Sequence, residues 1–162
     1  MNKIMVVEDE AVIALRLQER LTTMGYEVID MAHTGEGAVE KARSLQPDLM
    51  LLDIMIPGKL DGIQIAEIVK SELDVPVIFL TAYSENKIIE RAKRAEPYGY
   101  IIKPFQEIDS HTSIEMALYK HSKEQEKKKK VEMMFSVIEQ GEKEGIIFVR
   151  SKSSLVKLKA NE

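Results

Sequence analysis

The sequence contains no cysteine, no apolar run of membrane-spanning length and no strong excess of either charge. Without cysteine there are no disulfides, no thiolate nucleophile and no Cys-rich zinc site, a composition that suits a reducing cytoplasm. A bilayer-crossing helix needs roughly 20 consecutive apolar residues, and none is present. The N-terminus, MNKIMVVEDE, holds one lysine and a brief apolar stretch before its acids, too short for the apolar core of a signal peptide. A cytoplasmic protein without membrane contact is the expectation. Lysine and arginine number 23 against 27 acids, and the formal net charge of -4 is too mild to imply a nucleic-acid surface or an acidic tail. His33, His111 and His121 have no mutual metal-ligand spacing, so structural or solvent roles are expected for each.

What the chain does have is alternation. Its 162 residues, 44% hydrophobic and 31% charged, suit one well-filled domain with a further segment beyond it. Short apolar runs at Ile4 to Val7, Val28 to Ala32, Leu49 to Leu52, Val75 to Leu80 and Tyr98 to Ile102 read as strands. Amphipathic stretches at Ala11 to Met24, Gly35 to Leu45, Ile63 to Leu73 and Asn86 to Ala95 read as helices, with Gly25 and Pro47 as stop signals. This β-α alternation predicts a parallel sheet with helices on both faces, and nearly all-apolar strands fit burial on both sides.

From about Ile108 the pattern becomes one long helix through Gln140. With Ile114 at heptad position a, the seam reads Ile114, Ala117, His121, Glu124, Lys128, Val131, Phe135 and Ile138, apolar at both ends and polar in the middle. A solvated linker helix is expected rather than a strong zipper, and Lys127 to Lys130 read as a solvated face. After Gly141 and Gly145, two β-like stretches, Ile146 to Arg150 and Leu155 to Leu158, are too little for a domain.

In an open parallel α/β sheet, chemistry gathers at the carboxyl ends of the strands. The first strand is followed by Glu8, Asp9 and Glu10, the third by Asp53, the fourth by Thr81 and the fifth by Lys103-Pro104. The second, leading to His33, Thr34 and Gly35, offers little. Carboxylates gathered on one rim repel, and a hard divalent cation relieves the repulsion, magnesium being the fitting choice. Such a cation on Asp9 and Asp53 would accept a phosphoryl oxygen, with Lys103 and Thr81 supplying charge and a hydrogen bond. Asp53 would then be the nucleophile of a phosphoryl transfer, forming an acyl phosphate. Each residue alone has an ordinary reading: Asp53 as a loop acid, Glu8 and Asp9 as helix-start charges, Glu10 as a cap, Thr81 as an N-cap and Lys103 as a surface lysine. The joint pattern favours the chemical one. Gly35-Glu36-Gly37 is too short and wrongly placed for a phosphate loop. Ser84, without a His or acid arranged around it, reads as the cap of the fourth helix.

At VVEDE, LLDIMIPGKLDG, VIFLTAYSE and YGYIIKPF the chain, from about Asn2 to Lys120, resembles the receiver domain of two-component response regulators. The resemblance implies a doubly wound, flavodoxin-like α/β fold with a five-stranded parallel sheet in the order 2-1-3-4-5 and a C-terminal helical extension. It implies Asp53 as phosphoacceptor, Glu8 and Asp9 as the acidic pair, Thr81 as the switch hydroxyl, Lys103 as the conserved-type lysine and Tyr100 as the rotating aromatic. It implies magnesium held by Glu8, Asp9, Asp53 and the carbonyl of Met55, and a cis Lys103-Pro104 bond. Packing is the ordinary alternative for Tyr100. Two departures stand out: Glu8 where many members carry Asp, which implies a metal contact through water, and a loop after Asp53 that looks one residue longer than the familiar version. Met55 and Tyr83 occupy the positions that flank the attacking water, and neither can orient it, which implies slow self-dephosphorylation.

The resulting expectation is a receiver domain over 1–122, a helical linker over 123–145 and the beginning of an output or sensor module over 146–162. It is a signalling protein, not an enzyme. A sensor histidine kinase is the phosphoryl donor, and a homodimer through the face from the fourth to the fifth helix is the expected association. DNA is a partner only through a missing output domain; the tail IFVRSKSSLVKLKANE resembles the opening strands of a LytTR-type DNA-binding domain. Two alternatives stand beside this reading, the second on the same topology. A magnesium-dependent phosphatase with an Asp nucleophile would place a second Asp where Met55 stands. A flavin module would need phosphate donors where the first loop is acidic.

Overall fold

A computed structural model describes residues 1–82, 86–151 and 154–159. The chain divides into two units, Met1–His121 and Ser122–Glu162. The first holds five strands, β1 (Lys3–Val7), β2 (Glu27–Ala32), β3 (Leu49–Asp53), β4 (Val77–Thr81) and β5 (Gly99–Ile102), all pairing in parallel in the order β2-β1-β3-β4-β5. The connecting helices are α1 (Ala11–Thr23), α2 (Gly35–Leu45), α3 (Gly62–Leu73) and α4 (Asn86–Arg94). A fifth, α5 (Glu107–Lys143), contributes to both units.

Side chains that alternate across a strand build two cores. Ile4, Val6, Leu49, Leu51, Ile78 and Leu80 pack with Leu17 and Leu21 of α1 and Ile114 and Ala117 of α5. Met5, Val7, Met50, Leu52, Val77 and Phe79 pack on the other face with α2, α3 and α4. The all-apolar interiors of β1, β3 and β4, with polar residues only at a strand end, thus have their cause in burial on both sides. Helix ends follow local chemistry. Gly25, at φ 91°, lets the chain turn after α1. The Thr34 hydroxyl accepts the Gly37 N–H at the start of α2, and Asp61 with Gln64 forms a capping box at α3.

Several boundaries differ from the sequence reading, and two of them have a plain local cause. β4 begins at Val77 rather than Val75, because Pro76 has no N–H to give the ladder; its carbonyl accepts the Met50 N–H instead. Asp53 is the last residue of β3 rather than the first beyond it, in register with Leu80. In the second unit, β6 (Ile146–Ser151) and β7 (Ser154–Lys159) form an antiparallel hairpin, entered through Gly145 at φ 71°. The α5 residues Val131, Met134 and Phe135 are exposed.

Candidate phosphoryl-acceptor site

The parallel order of the sheet brings the ends of β1, β3, β4 and β5 to one rim, and the sequence-predicted residues meet there. Asp53 ends the central strand β3 and is 7% exposed, with its Oδ1 accepting the Met55 N–H at 2.8 Å. Lys103, just past β5, donates from Nζ to Asp53 Oδ2 at 2.5 Å and to Glu8 Oε2 at 2.6 Å. Its own N–H donates to the Thr81 carbonyl at 2.8 Å, so the ladder that joins β4 to β5 also fixes where the lysine starts. The Lys103-Pro104 bond is cis, as expected. Asp9, Asp53, Met55, Thr81 and Lys103 line a cavity of about 200 Å³.

Glu8 is fully buried, with Oε1 accepting the Glu10 N–H at 3.1 Å. Burial pushes its carboxyl up to about 6; the Lys103 hydrogen bond and the Glu10 N–H pull it down, and the charge of Asp53 adds to the rise. Lys103 is held above its ordinary value: burial opposes this most strongly, but hydrogen bonds to Asp53 and Glu8, together with their charges, outweigh it. Glu10 sits at the N-cap of α1 without a side-chain cap bond.

Carboxylate oxygens of Glu8, Asp9 and Asp53 lie within 4.8 Å of one another. Opposite ligands of a magnesium ion stand roughly 4 Å apart, twice its oxygen distance, so the donor set fits such a cation with little movement. The charges fit too, because among the described residues three carboxylates against the Lys103 ammonium leave an excess that a divalent cation balances.

Other residues are placed differently from the rim. Tyr100 is part-exposed in β5, its ring tilted against Phe79 at 5.9 Å between centroids. The Met55 side chain points largely into solvent, at 66% exposed, between the buried Ile54 and Ile56. Tyr83 and Ser84 lie outside the described residues. The three histidines hold separate structural contacts: His33 Nδ1 with the Glu8 carbonyl at 2.8 Å, His111 Nδ1 with the Tyr26 hydroxyl at 2.9 Å, and His121 with Asp74 at 3.6 Å. The second strand therefore contributes more than the sequence suggested, since His33 braces the backbone of Glu8. Sequence reasoning also missed the ion pair of Arg91 with Asp61, at 2.6 Å, and the contact of Glu36 with the loop after β3; both join residues at least 23 apart with no local signal.

Comparison with known proteins points to one family. Residues 4–115 match the family model described as the response regulator receiver domain. The transcriptional regulatory protein PdtaR of Mycobacterium tuberculosis is 38% identical over 117 residues, 72% of this chain and 57% of that protein. The chemotaxis protein CheY of Thermotoga maritima is 34% identical over 106 residues, 65% of this chain and 88% of that protein. Among solved structures, the signal receiver domain of a modulated diguanylate cyclase from Desulfovibrio desulfuricans G20 superposes with a TM-score of 0.74 at 38% identity, covering 76% of this chain and 98% of that one. The chain spans little more than half the length of PdtaR. Among the described residues, no helix is long and apolar enough to cross a membrane. With its flavodoxin-like sheet, its acidic rim and this match over residues 4–115, the chain belongs to the response regulator receiver family and carries a receiver domain of phosphorelay signalling.

Proposed function

We propose that Asp53 is the phosphoryl acceptor and that the donor is a phosphohistidine on a sensor histidine kinase. An Asp53 carboxylate oxygen attacks phosphorus, the new O–P bond forms, the N–P bond breaks, and the imidazole nitrogen keeps the electron pair and takes a proton from solvent. The observation that carries this reading is Asp53 itself: a nearly buried carboxylate at the end of the central strand, held by Lys103 at 2.5 Å and opening on a cavity that Thr81 lines. Lys103 neutralises charge on the acceptor, and Thr81, which lines the cavity, would offer its hydroxyl to a phosphoryl oxygen. Glu8, Asp9, Asp53 and the Met55 carbonyl would hold magnesium, which supplies further charge neutralisation on the phosphoryl oxygens when bound. Burial of Glu8 against Lys103 supports an indirect part for it, with Asp9 the accessible carboxylate of the pair.

The output is conformational. Thr81 moves to the phosphoryl group and Tyr100 turns inward, altering a surface where Ile102, Met116 and Tyr119 are exposed. That surface supports a homodimer through the face from α4 to α5. The protein is not an enzyme in this reading and acts in the cytoplasm, and the β6–β7 hairpin opens an output module, of LytTR type by its resemblance, through which DNA would be reached. The domain limits 1–122, 123–145 and 146–162 go with that organisation.

Acetyl phosphate, or beryllofluoride, added with magnesium should give one adduct on the wild-type chain by mass spectrometry and none on Asp53→Ala. An unlabelled wild type overturns the reading, and steady turnover of a generic phosphate ester would favour the phosphatase alternative.

A further inference from the structure

The loop between β3 and α3, residues 54–61, carries Met55 and begins beside Asp53. Its base is closed by the Gly62 N–H donating to the Ile54 carbonyl at 3.0 Å, a closure that leaves no room for a side chain: a Cβ on Gly62 would stand 2.1 Å from the Asp53 carbonyl oxygen. Ile54 and Ile56 are buried in the core on the α2, α3 and α4 side of the sheet. Beyond them Pro57 and Gly58 reverse the chain, Gly58 at φ 120°. At this far end the loop meets α2. The Lys59 N–H donates to Glu36 Oε1 at 2.6 Å. A Cβ on Gly58 would lie 2.7 Å from Glu36 Oε2, and one on Gly35 would lie 2.3 Å from the Leu60 carbonyl oxygen. Glycine on both sides of the contact lets the loop backbone and the first turn of α2 approach this closely. Backbone N–H groups of Glu36 itself and of Lys59 hold the Glu36 carboxyl below its ordinary range.

We infer that Glu36 is a positioning residue for the acceptor loop, clamping its tip through the Lys59 N–H so that Met55, between the clamp and the closed base, keeps its place beside Asp53. The inference rests on the proposed magnesium and phosphoryl site and extends it to α2, whose start follows β2, the one strand whose end carries no acidic or basic group of that site. A carbonyl ligand depends on its loop being still before the metal arrives, and outer contacts that orient ligands commonly matter 10- to 100-fold in metal affinity. Glu36 touches no reacting atom; it acts through the loop.

The test uses the full chain and four proteins: wild type, Glu36→Ala, Glu36→Gln and, as a control on the same helix, Glu40→Ala. Magnesium chloride affinity is measured by calorimetric titration, and amide hydrogen exchange is followed at Met55 and Lys59 without metal. The expected result is a loss of about tenfold in magnesium affinity for Glu36→Ala, with faster exchange at both amides. Glu36→Gln, which keeps an oxygen acceptor without the charge, recovers most of the affinity and slows exchange again. Glu40→Ala behaves as wild type. An unchanged affinity in Glu36→Ala overturns the inference. So does a Glu36→Gln protein as weak as Glu36→Ala, because the effect would then come from charge rather than from the clamp. Should Glu36→Ala fail to fold, Lys59 exchange in the wild type and the Glu36→Gln affinity still decide: a Lys59 amide without protection refutes the clamp. Acetyl phosphate labelling of the wild type in parallel separates the two claims, since absence of an adduct removes the phosphoryl reading while the exchange data still judge the loop.

Discussion

Replacing Lys103 by methionine keeps the length of the apolar stem and removes the ammonium. In the wild type the Lys103 side chain is 15% exposed, and its ammonium lies 2.6 Å from a fully buried Glu8 and 2.5 Å from an Asp53 that is itself nearly buried. Without it the two carboxylates face each other within 4.8 Å. At an effective dielectric constant of about 20 that repulsion is roughly 3 kcal/mol, in keeping with the cost of about 3 to 5 kcal/mol for removing one partner of a buried pair. Protonation of Glu8 is the escape. Its carboxyl already stands at about 6, above its ordinary 4.5, so the folded state holds the proton more tightly than the unfolded chain does. That contribution to stability is present at acid pH and is lost as pH rises through this interval. Lys103 is one of the influences that pull Glu8 down, so in Lys103→Met the carboxyl rises further and the window of loss moves upward. The expected deficit against wild type is therefore about 3 kcal/mol near pH 8, or roughly 10 °C in Tm for a unit of this size. It shrinks near pH 5, where Glu8 is protonated, to the part that the lost Asp53 pair contributes. Urea and thermal melts of both proteins across this range, without metal, provide the assay. A variant that melts with the wild type near pH 8, or whose deficit does not shrink on acidification, would refute the reasoning.

The remaining expectations concern the metal, the loop and the lifetime of the adduct. Because Glu8 titrates at about 6, magnesium affinity should fall as pH drops through that value and level off in Glu8→Gln; equal wild-type dissociation constants at about pH 5 and pH 7.5 would argue against a part for Glu8. Gly62→Ala drives a Cβ to 2.7 Å from Ile54 Cα and still closer to the Asp53 carbonyl, backbone atoms that cannot yield cheaply. A loss of about 1 to 3 kcal/mol in urea unfolding is expected, together with poorer acceptance of acetyl phosphate; a variant matching wild type in both would sink the close-approach argument. Met55→Asn places an amide at the position flanking the attacking water, and faster decay of the acyl phosphate is the expected outcome. An unchanged or slower decay would count against water exclusion or misorientation by Met55, whose side chain is already largely in solvent.

Much of this architecture is legible in the chain because its signals are local. The all-apolar runs of β1, β3 and β4 are the imprint of two cores on one sheet, and each run ends in the residue that the rim uses. Gly25, Thr34 and Asp61 mark helix ends through chemistry confined to a few residues. Where the reading missed, the cause was an interaction with a distant partner or a backbone detail. Pro76 shortened β4 because it lacks a donor, while Leu80 kept Asp53 inside the β3 ladder. His33 and Glu36 were set aside because nothing near them in sequence reveals the Glu8 carbonyl or the Lys59 N–H that they meet.

By itself the sequence determined the order of elements, the two-sided burial of the central strands and the set of groups that could meet at their ends, since periodicity, caps and strand termini are local properties. Only the tertiary structure decided how those groups divide their work. It buried Glu8 and left Asp9 accessible, set Lys103 between two carboxylates, turned the Met55 side chain outward and brought Glu36 to the loop that starts at Asp53. Charge state and ligand position depend on distances across strands and loops, and those distances exist only once the chain has closed on itself.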